Sequence, residues 1–193
     1  MKLLLIILTV LSSFLTNLET KTLQSAFTVT VAEEINAPMN FPGEIVMQGD
    51  KFRLTMMAIE AAYDGKTMYM YSGQTDELTL SNPTEQELLQ ANPFLYAKAL
   101  VDVCNIVEKA GGDNTLITLT PKDQSIGINR FVLKLRTADL MPLSIELKEG
   151  KKMTTLKLKE PKFVSASQKW EITLPVSPDS FVNASKRLPT GEI

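Results

Sequence analysis

The 193-residue chain contains no histidine and a single cysteine, Cys104. Without imidazole there is no Ser/His/Asp triad and no Cys/His pair, and the common zinc sites lose their usual ligands. A lone cysteine forms no intramolecular disulfide. Its neighbours Val101, Val103, Ile106 and Val107 make Cys104 read as a small buried hydrophobe. Charge is balanced rather than clustered: 20 Lys plus Arg stand against 22 Asp plus Glu, a net charge of -2. No basic stripe offers itself to a phosphate backbone, so no nucleic-acid partner is expected.

Carboxylate pairs are the remaining catalytic option, at Glu33-Glu34 and Asp76-Glu77. Adjacent residues on a strand point to opposite faces, so neither pair converges on one substrate. Both read as solvated surface. No enzymatic activity, no cofactor and no metal site are expected.

Long apolar runs are also missing. Met1, Lys2 and the run Leu3 to Val10 have the charged start and apolar segment of a secretory signal, too short to span a bilayer. Yet no small-x-small cleavage site follows, and Ile7, Val10, Leu11, Phe14 and Leu18 fall on one helical face. Residues 1–20 therefore read as a signal or as a first amphipathic helix, ahead of a single domain over residues 21–193.

What the chain does have is enough apolar material for one core, with 44% hydrophobic and 22% charged residues. From Leu23 onward short alternating segments follow one another: Ala26 to Val31, Gly43 to Met47, Phe52 to Met57, Thr67 to Tyr71 and Glu77 to Leu80. Turn signals separate them, the sharpest being Asp64-Gly65, and the pattern predicts an antiparallel meander. Thr84, Glu85 and Glu87 offer helix-start chemistry ahead of Leu88 and Leu89. A second helix is expected from Pro93 to near Gly111-Gly112, with Leu95, Ala99, Leu100, Val103 and Val107 on one side.

The last third returns to strands: Leu116 to Leu119, Arg130 to Arg136, Pro142 to Leu147, Met153 to Leu158 and Lys169 to Leu174. A looser loop is expected over Glu160 to Gln168. About ten strands must curl or split to avoid one large flat surface, and helices placed mid-chain can cover the open face. The fold class is mainly β with a few helices.

Five stretches, in order and at similar spacing, resemble a known family. They are Leu23-Gln24-Ser25-Ala26-Phe27-Thr28; Gly43 through the turn to Phe52-Arg53-Leu54; Asp64-Gly65-Lys66-Thr67-Met68-Tyr69-Met70-Tyr71; Leu119-Thr120-Pro121-Lys122; and Trp170-Glu171-Ile172-Thr173-Leu174-Pro175. The sequence resembles the periplasmic outer-membrane lipoprotein carriers called LolA and their LolA-like relatives. The resemblance implies a half-open antiparallel β-barrel with a helical lid. It also implies a periplasmic monomer that takes acyl chains of a lipoprotein, or another lipid, from an inner-membrane transporter to an outer-membrane acceptor, without bond breaking.

Carried over residue by residue, the resemblance places Phe27, Phe52, Leu54, Tyr69 and Tyr71 at strand positions several of which face the cavity. Alternation puts Met56 on the same face as Phe52 and Leu54. Met47 and the lid residues Phe94 and Leu95 complete the expected hydrophobic site. The nine methionines suit an adaptable lipid-facing surface. Two departures stand out. Gln48 occupies the position where the carrier has a basic lid-latch residue, and the family's first helix aligns with the signal-like stretch Leu5 to Glu19. No cysteine precedes Cys104, which argues against the acylated outer-membrane receptor. The alternative to a lipid carrier is a LolA-like protein-binding or envelope-assembly module.

Overall fold

The computed structural model describes residues 2–165. It opens with helix α1 (Lys2–Thr20). Leu11, Phe14 and Leu18 recur at the three- and four-residue intervals of one helical face. All three are buried, Phe14 completely, and Val10 packs beside them. The side chain of Ile7 lies outside the described set. No described helix is long and apolar enough to cross a membrane.

Six strands then form a meander: β1 (Lys21–Ala32), β2 (Met39–Gln48), β3 (Lys51–Met56), β4 (Ile59–Tyr63), β5 (Met68–Ser72) and β6 (Glu77–Ser81). Two short helices follow, α2 (Glu85–Ala91) and α3 (Phe94–Ala99). The chain then builds β7 (Cys104–Gly111), β8 (Asn114–Pro121), β9 (Arg130–Arg136), β10 (Pro142–Glu149) and β11 (Lys152–Ser165). The eleven strands among the described residues belong to one open antiparallel sheet in the order β6-β5-β4-β3-β2-β1-β11-β10-β9-β8-β7, so β1 and β11 weld the two meanders together. The mainly β fold with few helices is the one observed, as an open sheet rather than a closed barrel.

Among the described residues, the helices close over one face of the sheet. Asn92 donates from Nδ2 to Met47 Sδ on β2 at 3.8 Å, while Tyr96 packs on Phe131 of β9 with ring centroids 6.4 Å apart. Three strands lie between β2 and β9, about 19 Å across a flat sheet, whereas Asn92 to Tyr96 advances only about 6 Å along a helix. Since side chains stand nearly perpendicular to a sheet, this bridging requires the strands to turn toward one another. The sheet curls around α1 and α3.

Local chemistry explains the connections. Asp64 Oδ1 accepts from the N–H groups of Lys66 and Thr67, both at 2.8 Å, while Gly65 takes φ +100, which gives the tight β4–β5 turn. Thr84 caps α2: its hydroxyl accepts from Glu87 N–H at 3.3 Å, and Glu87 Oε2 accepts from Thr84 N–H at 2.7 Å. This is a capping box, as the helix-start residues predict.

Three expectations need correction. The second helix stops at Ala99, and the segment to Gly111 is the strand β7. Val101, Val103, Ile106 and Val107 are β-branched, stiff at χ1 and better fitted to a pleated surface, and Gly112, at φ +59, opens a hairpin rather than ending a helix. The strand β4 was not expected, because the turn before it, Met57-Ala58, carries none of the usual turn residues. The loop expected from Glu160 is strand as far as Ser165: Glu160 at φ 52 and Pro161 form a bulge opposite Ser25, whose hydroxyl donates to Lys159 O at 3.1 Å. The expected strand Lys169 to Leu174 and the matching stretch Trp170 to Pro175 lie outside the described residues.

Candidate functional site

Strand register sorts the side chains of the β2–β5 wing into cross-strand rows on the inner face. The first row, Met47, Phe52, Tyr63 and Met68, is sealed. Phe52 and Tyr63 are in tilted ring contact at 6.0 Å. In the second row Ile45 and Ala61 are buried, but Leu54 is only half-buried and Met70 is 42% exposed. The third row is Gly43, Met56, Ile59 and Ser72, and none of its side chains is fully buried. Cover therefore thins in steps from the helices outward, leaving an apolar strip of Leu54, Met56, Ile59 and Met70.

Phe27 is buried on β1 and lays its ring over Gly43, where a Cβ would collide with the ring and with the carbonyl of Thr55. The glycine lets the aromatic ring fill the floor of the sheet. Phe94 is fully buried, Leu95 half-buried, and both line a small surface crevice with Leu15, Leu18 and Met47. Of the sequence-predicted residues, Phe27, Met47, Phe52, Leu54, Met56, Phe94 and Leu95 thus share the inner side.

Tyr69 and Tyr71 do not. Register pairs Tyr69 with Ala62 and Leu80, and Tyr71 with Glu60 and Leu78. Through β4 these rows continue to Arg53 and Thr55, which alternate with Phe52 and Leu54 and so face outward. Their hydroxyls donate to carboxylates there, Tyr69 to Asp64 at 3.3 Å and Tyr71 to Asp76 at 2.9 Å. Burial, then the Asp64 charge, raises the Tyr69 pKa; for Tyr71 the hydrogen bond to Asp76 is the main cause of a rise. Both phenols stay protonated at neutral pH.

Gln48 ends β2 and accepts from the Thr22 hydroxyl at 3.4 Å, a contact within the sheet. The cation near the helical cover is Lys98 on α3, which pairs with Glu19 of α1 at 3.1 Å and with Asp50 of the β2–β3 turn at 3.3 Å. The Glu19 hydrogen bond is the main cause that raises its pKa. Nothing in sequence spacing marks Lys98, because its two partners lie far away in the chain. Asn92 was also unmarked, although Asn-Pro after a helix is a turn signal. It is fully buried, its N–H donates to Leu88 O at 2.9 Å, and its Oδ1 accepts from Phe94 N–H at 3.1 Å.

Two titratable groups outside the apolar strip are shifted by burial. Cys104 is buried, and burial raises its pKa, away from a reactive thiolate. Glu108, on β7 opposite Ile117, has an Oε2 without a hydrogen-bond partner among the described residues, and burial raises its pKa. Among the described residues no three His, Cys, Asp or Glu side chains are grouped to hold a metal.

No protein-family model matches the sequence, and no curated protein matches it. Solved structures do. An uncharacterized conserved protein from Thermus thermophilus superposes with a TM-score of 0.54 at 16% identity, covering 82% of this chain and 88% of that one; at such identity the likeness concerns the fold alone. A LolA superfamily protein from Nitrosomonas europaea has a TM-score of 0.39 at 10% identity, covering 78% and 92%. A putative outer membrane lipoprotein-sorting protein domain from Vibrio parahaemolyticus has a TM-score of 0.42 at 11% identity, covering 84% and 94%. LolA-superfamily and lipoprotein-sorting proteins are thus among the solved structures to which this chain is similar.

Proposed function

We propose that this protein is an extracytoplasmic lipid carrier whose inner sheet face holds alkyl chains, such as the acyl chains of a lipoprotein, without catalysis. One observation carries the reading: the strip of Leu54, Met56, Ile59 and Met70 stays half-covered beside a sealed core. Each methylene of an alkyl chain laid along it gains roughly 0.8 kcal/mol, and unbranched methionines adapt to a mobile guest. The carrier works in the periplasm between an inner-membrane donor and an outer-membrane acceptor, and α1 belongs to the working domain because Phe14 and Leu18 fill its core.

Native protein purified without detergent is expected to yield lipid on extraction and to bind a fluorescent fatty probe that lipid displaces. Met56→Ser with Met70→Ser weakens the probe several-fold. A chain that neither retains lipid nor binds the probe refutes the proposal.

A second reading, a protein-binding module, is favoured by the outer face. The pairs Tyr69–Leu80 and Tyr71–Leu78 sit beside the sheet edge at β6, with Leu80 38% exposed. Aromatic and aliphatic side chains of this kind anchor protein interfaces. Recovery of a partner that Tyr71→Ser and Leu80→Ser abolish, from a protein with no lipid, would decide for it.

A further inference from the structure

Charge that is balanced along the sequence is segregated across the sheet. Residues 21–81, which form β1–β6, carry eight Asp and Glu against four Lys and Arg, whereas residues 104–165, which form β7–β11, carry seven against eleven. The excess gathers on one surface. Alternation with the buried Ile117, Leu133, Leu135 and Leu156 turns Leu116, Lys134 and Lys157 outward. Register sets Lys109, Leu116, Lys134, Ser144 and Lys157 in one row across β7–β11. The row is cationic at every second strand, about 10 Å apart. Two rows away, Arg130 and Lys148 stand directly opposite each other.

Nothing nearby answers these charges. Among the described residues, Lys109, Arg130, Lys134, Lys148 and Lys157 have no ion-pair partner, and Glu146 is the only acidic residue at an outward position of β7–β10. The other wing differs, since its outward Arg53 pairs with the outward Glu60 at 3.2 Å. Like charges facing across a ladder are unfavourable, and a chain of net charge -2 has carboxylates to spare. Two aliphatic side chains share the surface, Val107 at 60% and Leu116 at 39% exposure. Apolar side chains framed by charge are the anatomy of a protein interface, whereas lipid headgroups or a phosphate chain would have no use for Val107.

We propose that the outer face of β7–β11 docks an acidic, extended segment of a partner protein, with carboxylates on Lys109, Lys134 and Lys157 and an apolar side chain beside Val107 and Leu116. The sheet curls around α1 and α3, so this face is convex: a flat bilayer meets only its crest, while a chain follows the bend. An extended chain of the polyproline type repeats every three residues, about 9 Å, close to the two-strand step of the lysine row. Acidic residues three apart therefore meet successive lysines. The face lies on the wing opposite Tyr69 and Tyr71, and its role is independent of the lipid-carrier reading.

Fluorescence anisotropy of a labelled peptide of four Glu-Pro-Leu repeats, titrated with the full chain, tests it. The unaltered protein is expected to bind this peptide and not its Lys-Pro-Leu counterpart, with an affinity that falls as salt is raised from about 0.05 to 0.3 M. Lys134→Gln/Lys157→Gln is expected to weaken binding about tenfold and Val107→Ser about threefold, whereas Lys51→Gln/Lys66→Gln, which removes the same charge elsewhere, leaves it within about twofold. Relief of repulsion keeps or raises the melting temperature of Lys134→Gln/Lys157→Gln, which excludes misfolding, and binding of a fluorescent fatty probe stays unchanged in every variant. Failure of the unaltered protein to bind the peptide overturns the proposal, as does equal binding by Lys134→Gln/Lys157→Gln. Competition by inorganic polyphosphate together with an unaffected Val107→Ser also overturns it, in favour of an indiscriminate polyanion surface. So does flotation with phosphatidylglycerol vesicles that the lysine substitutions abolish and the peptide does not, in favour of a membrane.

Discussion

The two wings of one sheet solve different problems with different side chains. On the β8–β10 wing Ile117, Leu119, Phe131, Leu133, Leu135 and Ile145 are almost completely buried. These are residues with well-defined rotamers, and they interlock to the density of a protein interior. On the β3–β5 wing the same inner face carries Leu54, Met56, Ile59 and Met70, half-buried or exposed. Leucine and isoleucine specify a shape, whereas methionine tolerates several. The difference teaches where the sheet is finished by its own chain and where its inner face is left half-covered, the strip to which the proposed function assigns a guest.

Truncation is the most direct way to break this contrast, and it carries the largest expected effect. Leu133→Ala opens a hole in the sealed wing and is expected to cost about 2–5 kcal/mol, measured by urea denaturation. Met70→Ser removes a side chain that is already 42% exposed and is expected to cost under about 0.5 kcal/mol while weakening the fatty probe. Equal destabilisation at both positions would mean that the open wing is ordinary core.

Gly43→Ala probes the border between the wings. The new methyl meets the Phe27 ring and the Thr55 carbonyl; the ring can shift but the backbone of β3 cannot without loosening its ladder. Overpacking of this kind costs roughly 1–3 kcal/mol, read as a lowered melting temperature. A variant as stable as the parent would show that the sheet gives way here, and that the ring of Phe27 is mobile rather than fixed floor.

Legibility in the sequence followed the same division. The β-rich class, the Asp64-Gly65 hairpin, the Thr84 cap and the shared face of Phe52, Leu54 and Met56 could be read because each rests on local chemistry or alternation. The strand β4 was hidden because Met57 stands where a glycine would have announced a turn. The strand β7 was hidden because Leu95, Ala99, Leu100, Val103 and Val107 also satisfy a helical period. Tyr69 and Tyr71 show a subtler loss. In Met68-Tyr69-Met70-Tyr71 both alternating sets are apolar, so the strand alone does not say which set turns inward; its register with the unseen β4 decides for the methionines. Pairing across the fold, as at Lys98, leaves no trace in local spacing.

A further small effect concerns how the helical cover is held over the boundary. Lys98 joins α3 to Glu19 and Asp50, and all three side chains are about half exposed. Screened pairs of this kind are worth about 0.2–1 kcal/mol, so Lys98→Ala should barely move the melting temperature. Its pKa is raised by these partners, so the contribution is present below the unfolded-state pKa of lysine and is lost as pH rises through the folded value. On the lysine side the clasp thus holds across neutral pH and fails in alkali, and salt weakens it. If α3 is the movable part of the cover, the unaltered protein should release the fatty probe faster as salt is raised from about 0.01 to 1 M, a range over which screening becomes nearly complete, and Lys98→Ala should release it fast at every salt concentration. Stopped-flow dilution measures both. Identical, salt-independent release from the two proteins would mean that packing of Phe94 and Tyr96 alone fixes the cover, and that the open wing is filled and emptied from the side of β6.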